Sequence, residues 1–168
     1  MEYKIELKDL TREFRMGGMF FGTKITAVDH VSLKIDSDKP WIMSIVGESG
    51  SGKTTLARLV LKLCDATSGD IFIGDTAISA YSKNKKQFYR KVQPIFQNPF
   101  STFSSRRTVD SYLFETTLNL KIAKDRGEAE KIITDVLHSV GLEYKQVKGK
   151  YSSQFSGGEL QRISIARA

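Results

Sequence analysis

The chain has 168 residues, of which 40% are apolar and 27% charged, and a formal net charge of +7. This is the length of one domain able to bury about 70% of the surface of its unfolded chain, and the composition excludes a disordered protein. No tract approaches the roughly 18 apolar residues of a membrane span, and the N-terminus lacks the apolar region of a signal peptide. We therefore expect a cytosolic protein, and the single cysteine, Cys64, excludes an intrachain disulfide partner.

The positive charge is densest in residues 82–91, where Lys and Arg side chains alternate with aromatic ones. No motif of DNA- or RNA-binding proteins accompanies this run. We interpret it as a short solvated helix beginning near Ser82, with Tyr81, Phe88 and Tyr89 packed inward, and we predict no direct nucleic-acid partner.

Two segments near the N-terminus, residues 3–7 and 31–35, alternate apolar and polar side chains with the period of a half-buried strand. The intervening residues 14–24 contain paired glycines and paired phenylalanines, a composition typical of a loop with exposed aromatic rings. These segments predict an antiparallel β layer at the N-terminus.

Residues 47–54 read Gly-Glu-Ser-Gly-Ser-Gly-Lys-Thr and match the phosphate-loop pattern G-x-x-x-x-G-K-[ST]. The apolar run 41–46 before them predicts a strand buried on both faces, and the spacing of Leu56, Leu59 and Leu63 after them predicts a helix. Glycine lets consecutive N–H groups converge on phosphate oxygens at a helix N-terminus. The match in this context indicates a nucleotide site rather than an ordinary Gly/Ser turn.

The chemistry of the pattern assigns individual roles. Lys53 is expected to reach the β- and γ-phosphates, Thr54 to offer its hydroxyl to Mg²⁺, and Thr55 to place a second hydroxyl near the phosphates. The residues predicted to hold the nucleotide are Gly47, Glu48, Ser49, Gly50, Ser51, Gly52, Lys53, Thr54 and Thr55.

Further elements follow the predicted helix. Residues 71–73 predict a strand with a tight turn at Gly74-Asp75, and residues 92–96 predict another strand that ends at Gln97. Polar residues 98–107 indicate a loop, and apolar spacing predicts helices around residues 109–116 and 132–140. His30 and His138 stand alone, without a second metal ligand at suitable spacing.

A last helix is predicted to begin at Ser156-Gly157-Gly158-Glu159. Ser156 and Glu159 fit the capping box S-x-x-E. A cap does not require the two glycines, which weaken a first turn but expose its N–H groups to an anion. The chain thus carries a second helix N-terminus suited to phosphate.

Residues 155–159 resemble the L-S-G-G-Q signature of ABC-transporter ATPases, and residues 161–168 continue in the wording of that family. Gln97, 44 residues after Lys53, resembles the Q-loop glutamine of the family. The wording of residues 27–33, 46–53 and 96–101 is most similar to the ATP-binding subunits of dipeptide and oligopeptide importers. Phe155, Glu159 and Asn98 depart from the usual Leu, Gln and Asp.

The resemblance implies a site shared by two subunits. Lys53 and Gln97 would take part in catalysis, Thr54 and Gln97 would hold Mg²⁺, and Ser156, Gly157 and Gly158 would bind the γ-phosphate of ATP on a second ABC ATPase subunit. Phe14 is placed roughly where the family has its adenine-stacking aromatic residue. Phe20 and Phe21 compete for that role.

The fold implied is an α/β P-loop ATPase core with an N-terminal antiparallel β layer and a helical insertion, incomplete at its C-terminus. Residues 1–97 would form the core, 98–155 the helical subdomain, and 156–168 the signature helix. The acidic residues that support Mg²⁺ and polarise water in this family follow the signature, and the sequence stops at Ala168. We therefore expect a chain that binds ATP but hydrolyses it poorly.

The function implied is that of an ATP-binding subunit of a di- or oligopeptide importer, associated with integral-membrane permease subunits on the cytoplasmic face of the membrane. Alternatives are a non-transport ABC ATPase acting on nucleic acid or ribosomes, a P-loop kinase or GTPase, and a non-catalytic binding module. Kinases and GTPases leave Ser156-Gly157-Gly158 unexplained.

Overall fold

The computed structural model describes residues 3–17 and 23–168, and the chain divides into two compact units, Met1–Phe88 and Tyr89–Ala168. The elements in chain order are β1 (Tyr3–Met16), β2 (Thr23–Ser37), α1 (Lys53–Val60), β3 (Ser68–Ile73), β4 (Thr76–Ala77), α2 (Lys85–Tyr89), α3 (Val109–Asn119), α4 (Arg126–Ser139), α5 (Tyr144–Val147) and α6 (Gly157–Arg167). Short 3₁₀ turns lie at Ile78–Lys83, Pro99–Ser101 and Ser152–Gln154.

The first unit contains a four-stranded antiparallel sheet with the order β2-β1-β3-β4. Leu7 lies opposite Leu33 on one side and Ile71 on the other, so apolar side chains form a row across three strands. Such cross-strand pairs stabilise a sheet, and Leu7 and Ile71 are buried. The three strands predicted from residues 3–7, 31–35 and 71–73 are confirmed.

The β1–β2 pairing is irregular where two non-glycine residues adopt left-handed backbone conformations, Asp9 at φ 47° and His30 at φ 45°. The His30 ring Nδ1 lies 2.9 Å from Asp9 Oδ1, and the Asp9 N–H donates to Ser32 Oγ at 3.0 Å. Side-chain bonds therefore bridge a place where the regular ladder is interrupted.

Both strands extend further than the sequence indicates. Phe14 pairs with Ile25 inside the β1–β2 ladder, which continues to Met16 and Thr23. The prediction of a loop beginning at Phe14 is therefore wrong, because cross-strand pairing overrides local composition. Phe20 and Phe21 lie outside the described residues.

The predicted helix after the phosphate loop is confirmed as α1, with Leu59 buried. It ends at Val60, and Lys62 takes a left-handed conformation at φ 52°. Leu63, predicted on the same apolar stripe, lies beyond this end and is 51% exposed.

Two predicted strands are absent. Residues 41–46 and 92–96 have no strand structure, and Trp41, Ile42 and Val46 are exposed. A strand forms only where its N–H and C=O groups find partners, and none of the four strands in the described part of the chain pairs with either run. The apolar composition of these runs was read correctly, but their structure was not.

The second unit is helical. Its core contains side chains from α3, α4 and α6, among them Leu113, Ile133, Leu137, Leu160 and Ile163, all nearly inaccessible to solvent. The helices predicted around residues 109–116 and 132–140 are confirmed. Gly141, at φ 73°, ends the second of them as expected.

Candidate phosphate-binding site

The loop before α1 depends on glycine. Gly47, Gly50 and Gly52 have φ values of 155°, 84° and 86°, which other residues rarely adopt. A Cβ at Gly52 would lie 2.1 Å from the Ala27 carbonyl oxygen of β2, whereas a Cβ at Gly50 would meet nothing within 4 Å. The loop is thus held against β2 at a position where only glycine fits.

The N-terminus of α1 is open to an anion. Gly52 is its N-cap and provides no side-chain acceptor, and the first turn contains no acidic residue. The first N–H groups of a helix have no partner within it, and together with the helix dipole they favour negative charge. The donor set fits a phosphate group.

Lys53 lies over the loop itself. Its Nζ donates to the carbonyl oxygens of Gly47 at 2.8 Å and Glu48 at 2.5 Å, with Ser51 Oγ at 3.4 Å. The Ser51 N–H also donates to the Glu48 carbonyl oxygen at 3.3 Å. These bonds concentrate a positive charge beside the open helix N-terminus.

A cleft of about 280 Å³ adjoins the loop. It is lined by β2 residues from Thr26 to Val31, by Ile45 and Val46, and by residues 51–53 with Leu56. The cleft therefore places apolar surface next to Lys53 and Gly52.

Phe14 lies on β1 and is 39% exposed. The Arg12 guanidinium covers one face of its ring, 4.6 Å from the centroid. No contact of the described residues joins Phe14 to the loop, so its proposed role with adenine rests on the family resemblance.

Gln97 lies exposed in a bend of the second unit. The next residue, Asn98, fixes the chain direction because its Oδ1 accepts the Phe100 N–H at 3.1 Å. Gln161 of α6 donates to the Phe96 carbonyl oxygen at 3.4 Å, and Phe100 lies beside Gly157. The segment around Gln97 therefore contacts the first turns of the predicted signature helix.

The predicted capping box forms at the start of α6. Glu159 Oε2 accepts both the N–H and the hydroxyl of Ser156 at 2.8 Å, and the Glu159 N–H donates to Ser156 Oγ at 3.2 Å. The backbone N–H and then the hydroxyl of Ser156 hold the pKa of Glu159 below its usual value. The carboxylate is therefore ionised at neutral pH.

Gly157 and Gly158 have room for side chains in the described structure. A Cβ would lie 3.6 Å from the Phe100 ring at the first position and 3.8 Å from the Arg162 guanidinium at the second, both ordinary contact distances. Neither residue has a positive φ. The described residues thus give no steric reason for glycine at either position.

Metal ligation is sparse. In residues 3–17 and 23–168 no three or more His, Cys, Asp or Glu side chains group to hold a metal ion. Thr54 is exposed in the first turn of α1 and could offer its hydroxyl. Across the same residues, no helix is long and apolar enough to cross a bilayer.

Sequence reasoning missed two residues. The Ala27 carbonyl oxygen limits Gly52, and no local signal connects the two because the contact joins distant parts of the chain. Arg162 lies beside Gly158, and its position four residues later on the same helix face was a signal that could have found it.

Comparison with known proteins identifies relatives of the chain. The sequence profile of the ABC transporter family matches residues 28–168. The oligopeptide transport ATP-binding protein OppF of Streptococcus mutans is 36% identical over 98% of this chain and 52% of its own length. The di/tripeptide transport ATP-binding protein DppF of Pseudomonas aeruginosa is 34% identical over 100% of the chain and 52% of its own length. The chain thus spans about half the length of these curated relatives.

Solved structures agree. The dimeric structure of MJ0796, described as a bacterial ABC transporter cassette, matches with a TM-score of 0.75 and 26% identity over 97% of this chain and 68% of that one. The cbiO1 structure from Clostridium perfringens matches with a TM-score of 0.74 at 21% identity, covering 99% of this chain and 61% of that one. The predicted fold class, an ABC ATPase cassette with an antiparallel β layer, is confirmed.

Proposed function

The chain belongs to the ABC transporter family, and we propose that the whole protein is the ATP-binding subunit of a di- or oligopeptide importer, coupling MgATP binding and hydrolysis to transport. The observation that carries the proposal is the N-terminus of α1, which is uncapped, bordered by glycines and accompanied by Lys53. The peptide class follows from the names of the relatives.

Residues 47–55 would hold the triphosphate through backbone N–H groups, with Lys53 on the β- and γ-phosphates. We assign Thr54 and Gln97 to Mg²⁺, and the exposed part of the Phe14 ring to adenine. The bound ion would neutralise charge on the phosphates, and the chain's own groups would position the nucleotide and keep it oriented.

Ser156, Gly157 and Gly158 would meet the γ-phosphate of ATP bound to a second ATPase subunit. The room beside both glycines supports this assignment, since a molecule approaching from outside would explain the absence of side chains there. Gln97 would transmit the state of the nucleotide to permease subunits on the cytoplasmic face of the membrane.

Transport by the whole protein tests the proposal. In cells lacking the protein, the wild type and the Arg58→Ala control on the same helix should restore peptide uptake, whereas Lys53→Ala should not. The wild type should also copurify with membrane permease subunits. Uptake restored by Lys53→Ala, or copurification with nucleic acid or ribosomes in place of permeases, would contradict the proposal.

We further propose that residues 1–168 alone bind MgATP but turn it over slowly, because phosphoryl transfer needs a group that orients the attacking water and the family resemblance places that group after the signature. ATPase activity of this segment clearly above that of its Lys53→Ala variant would refute the idea.

A further inference from the structure

Glu159 controls the only proton of the Ser156 hydroxyl. A hydroxyl donates one hydrogen bond, and an ionised carboxylate only accepts. The 2.8 Å contact from Ser156 Oγ to Glu159 Oε2 therefore directs that proton towards the carboxylate. An anion arriving at Ser156 would have to displace the bond before the hydroxyl could donate to it.

The carboxylate also places a negative charge next to the site. A phosphate bound at Ser156 would lie a few ångströms from Glu159 Oε2, and like charges at such distances repel strongly where water is excluded. Arg162 and Lys150 are near enough to favour the ionised form of Glu159. They would offset part of the repulsion and also keep the carboxylate charged.

A glutamine at this position would keep the cap without the charge. Glutamine serves as the N3 residue of a capping box as glutamate does, because its side-chain oxygen accepts the N-cap N–H. It is a weaker acceptor for the Ser156 hydroxyl than a carboxylate.

We propose that Glu159 sets the affinity of the Ser156–Gly158 site for the γ-phosphate of ATP on a second copy of the chain, restraining ATP-dependent pairing by holding the Ser156 hydroxyl and repelling the phosphate. The inference rests on the proposed function, in which this site binds the nucleotide of a partner subunit.

The test measures self-association of the full chain by sedimentation in MgATP and in MgADP. Glu159→Gln should lower the dimer dissociation constant in MgATP about tenfold or more, the change expected when a nearby like charge is removed, and should leave it unchanged in MgADP. Glu128→Gln is the matched control. Glu128 occupies the same N3 position of α4, where its Oε2 accepts the Lys124 N–H at 2.7 Å.

Glu128→Gln should associate like the wild type. Equal dissociation constants for the wild type and Glu159→Gln, or weaker association of the variant, would show that Glu159 only caps α6. Glu159→Ala, which also removes the charge, should tighten association too, and it provides the same test if the glutamine variant melts at a lower temperature.

Two further measurements separate this inference from its premise. MgATP binding to the isolated chain and the effect of Ser156→Ala on association test the proposed function. If the chain does not bind MgATP, or Ser156→Ala associates as the wild type does, the premise and the inference both fail. If MgATP binds and Ser156→Ala weakens association while Glu159→Gln changes nothing, only the inference fails.

Discussion

At the scale of single residues, the loop glycines are required for different reasons. Gly50 and Gly52 have nearly equal positive φ values, so a side chain strains the backbone similarly at both. Only Gly52 also faces a carbonyl oxygen, that of Ala27. The two positions therefore separate backbone strain from steric exclusion.

We expect Gly50→Ala to cost about 1–2 kcal/mol of folding free energy, the strain of a left-handed alanine. Gly52→Ala should cost about 2–5 kcal/mol, because overpacking against β2 adds to the same strain. Urea denaturation of both variants measures the difference. Equal losses would show that α1 moves away from Ala27 without cost.

At the scale of elements, the first turn of α6 is stabilised by an ionised carboxylate. Because the pKa of Glu159 in the folded chain lies below its ordinary value of 4.5, its contribution is complete above that pH and is lost as the pH falls through the lower folded-state value.

Glu159→Ala should therefore melt at a lower temperature than the wild type at about pH 7, with the difference shrinking as the pH falls towards about 2. Thermal melting across this range checks the direction. A difference that stays constant or grows in acid would mean that the carboxylate charge does not stabilise the cap.

The helices and antiparallel strands were predictable because their patterns are local. Alternation marked β1, β2 and β3, and apolar spacing marked α1, α3 and α4. Residues 41–46 and 92–96 were not, because an apolar run shows a need for burial but does not identify the neighbouring backbone that would pair with it. Phe14 failed for the opposite reason, since it pairs with Ile25 despite its loop-like surroundings.

At the scale of the whole molecule, motif chemistry predicted more of the candidate site than of its surroundings. The cap at Ser156 and Glu159 and the glycine conformations before α1 follow from residue types at fixed spacing. The Ala27 contact with Gly52 could not be predicted, because it depends on how β2 meets the loop. The proposed roles of Gln97 and Phe14 still rest on family resemblance.

The central claim is that the α1 N-terminus binds the phosphates of ATP, and the affinity of the full chain for MgATP tests it most directly. Equilibrium binding should show that Lys53→Ala loses about tenfold or more in affinity, since a charge-assisted bond to phosphate is worth roughly 1.5–3 kcal/mol. Arg58→Ala, which removes a charge from the same helix, should bind as the wild type does. Equal affinities of the wild type and Lys53→Ala would contradict the account.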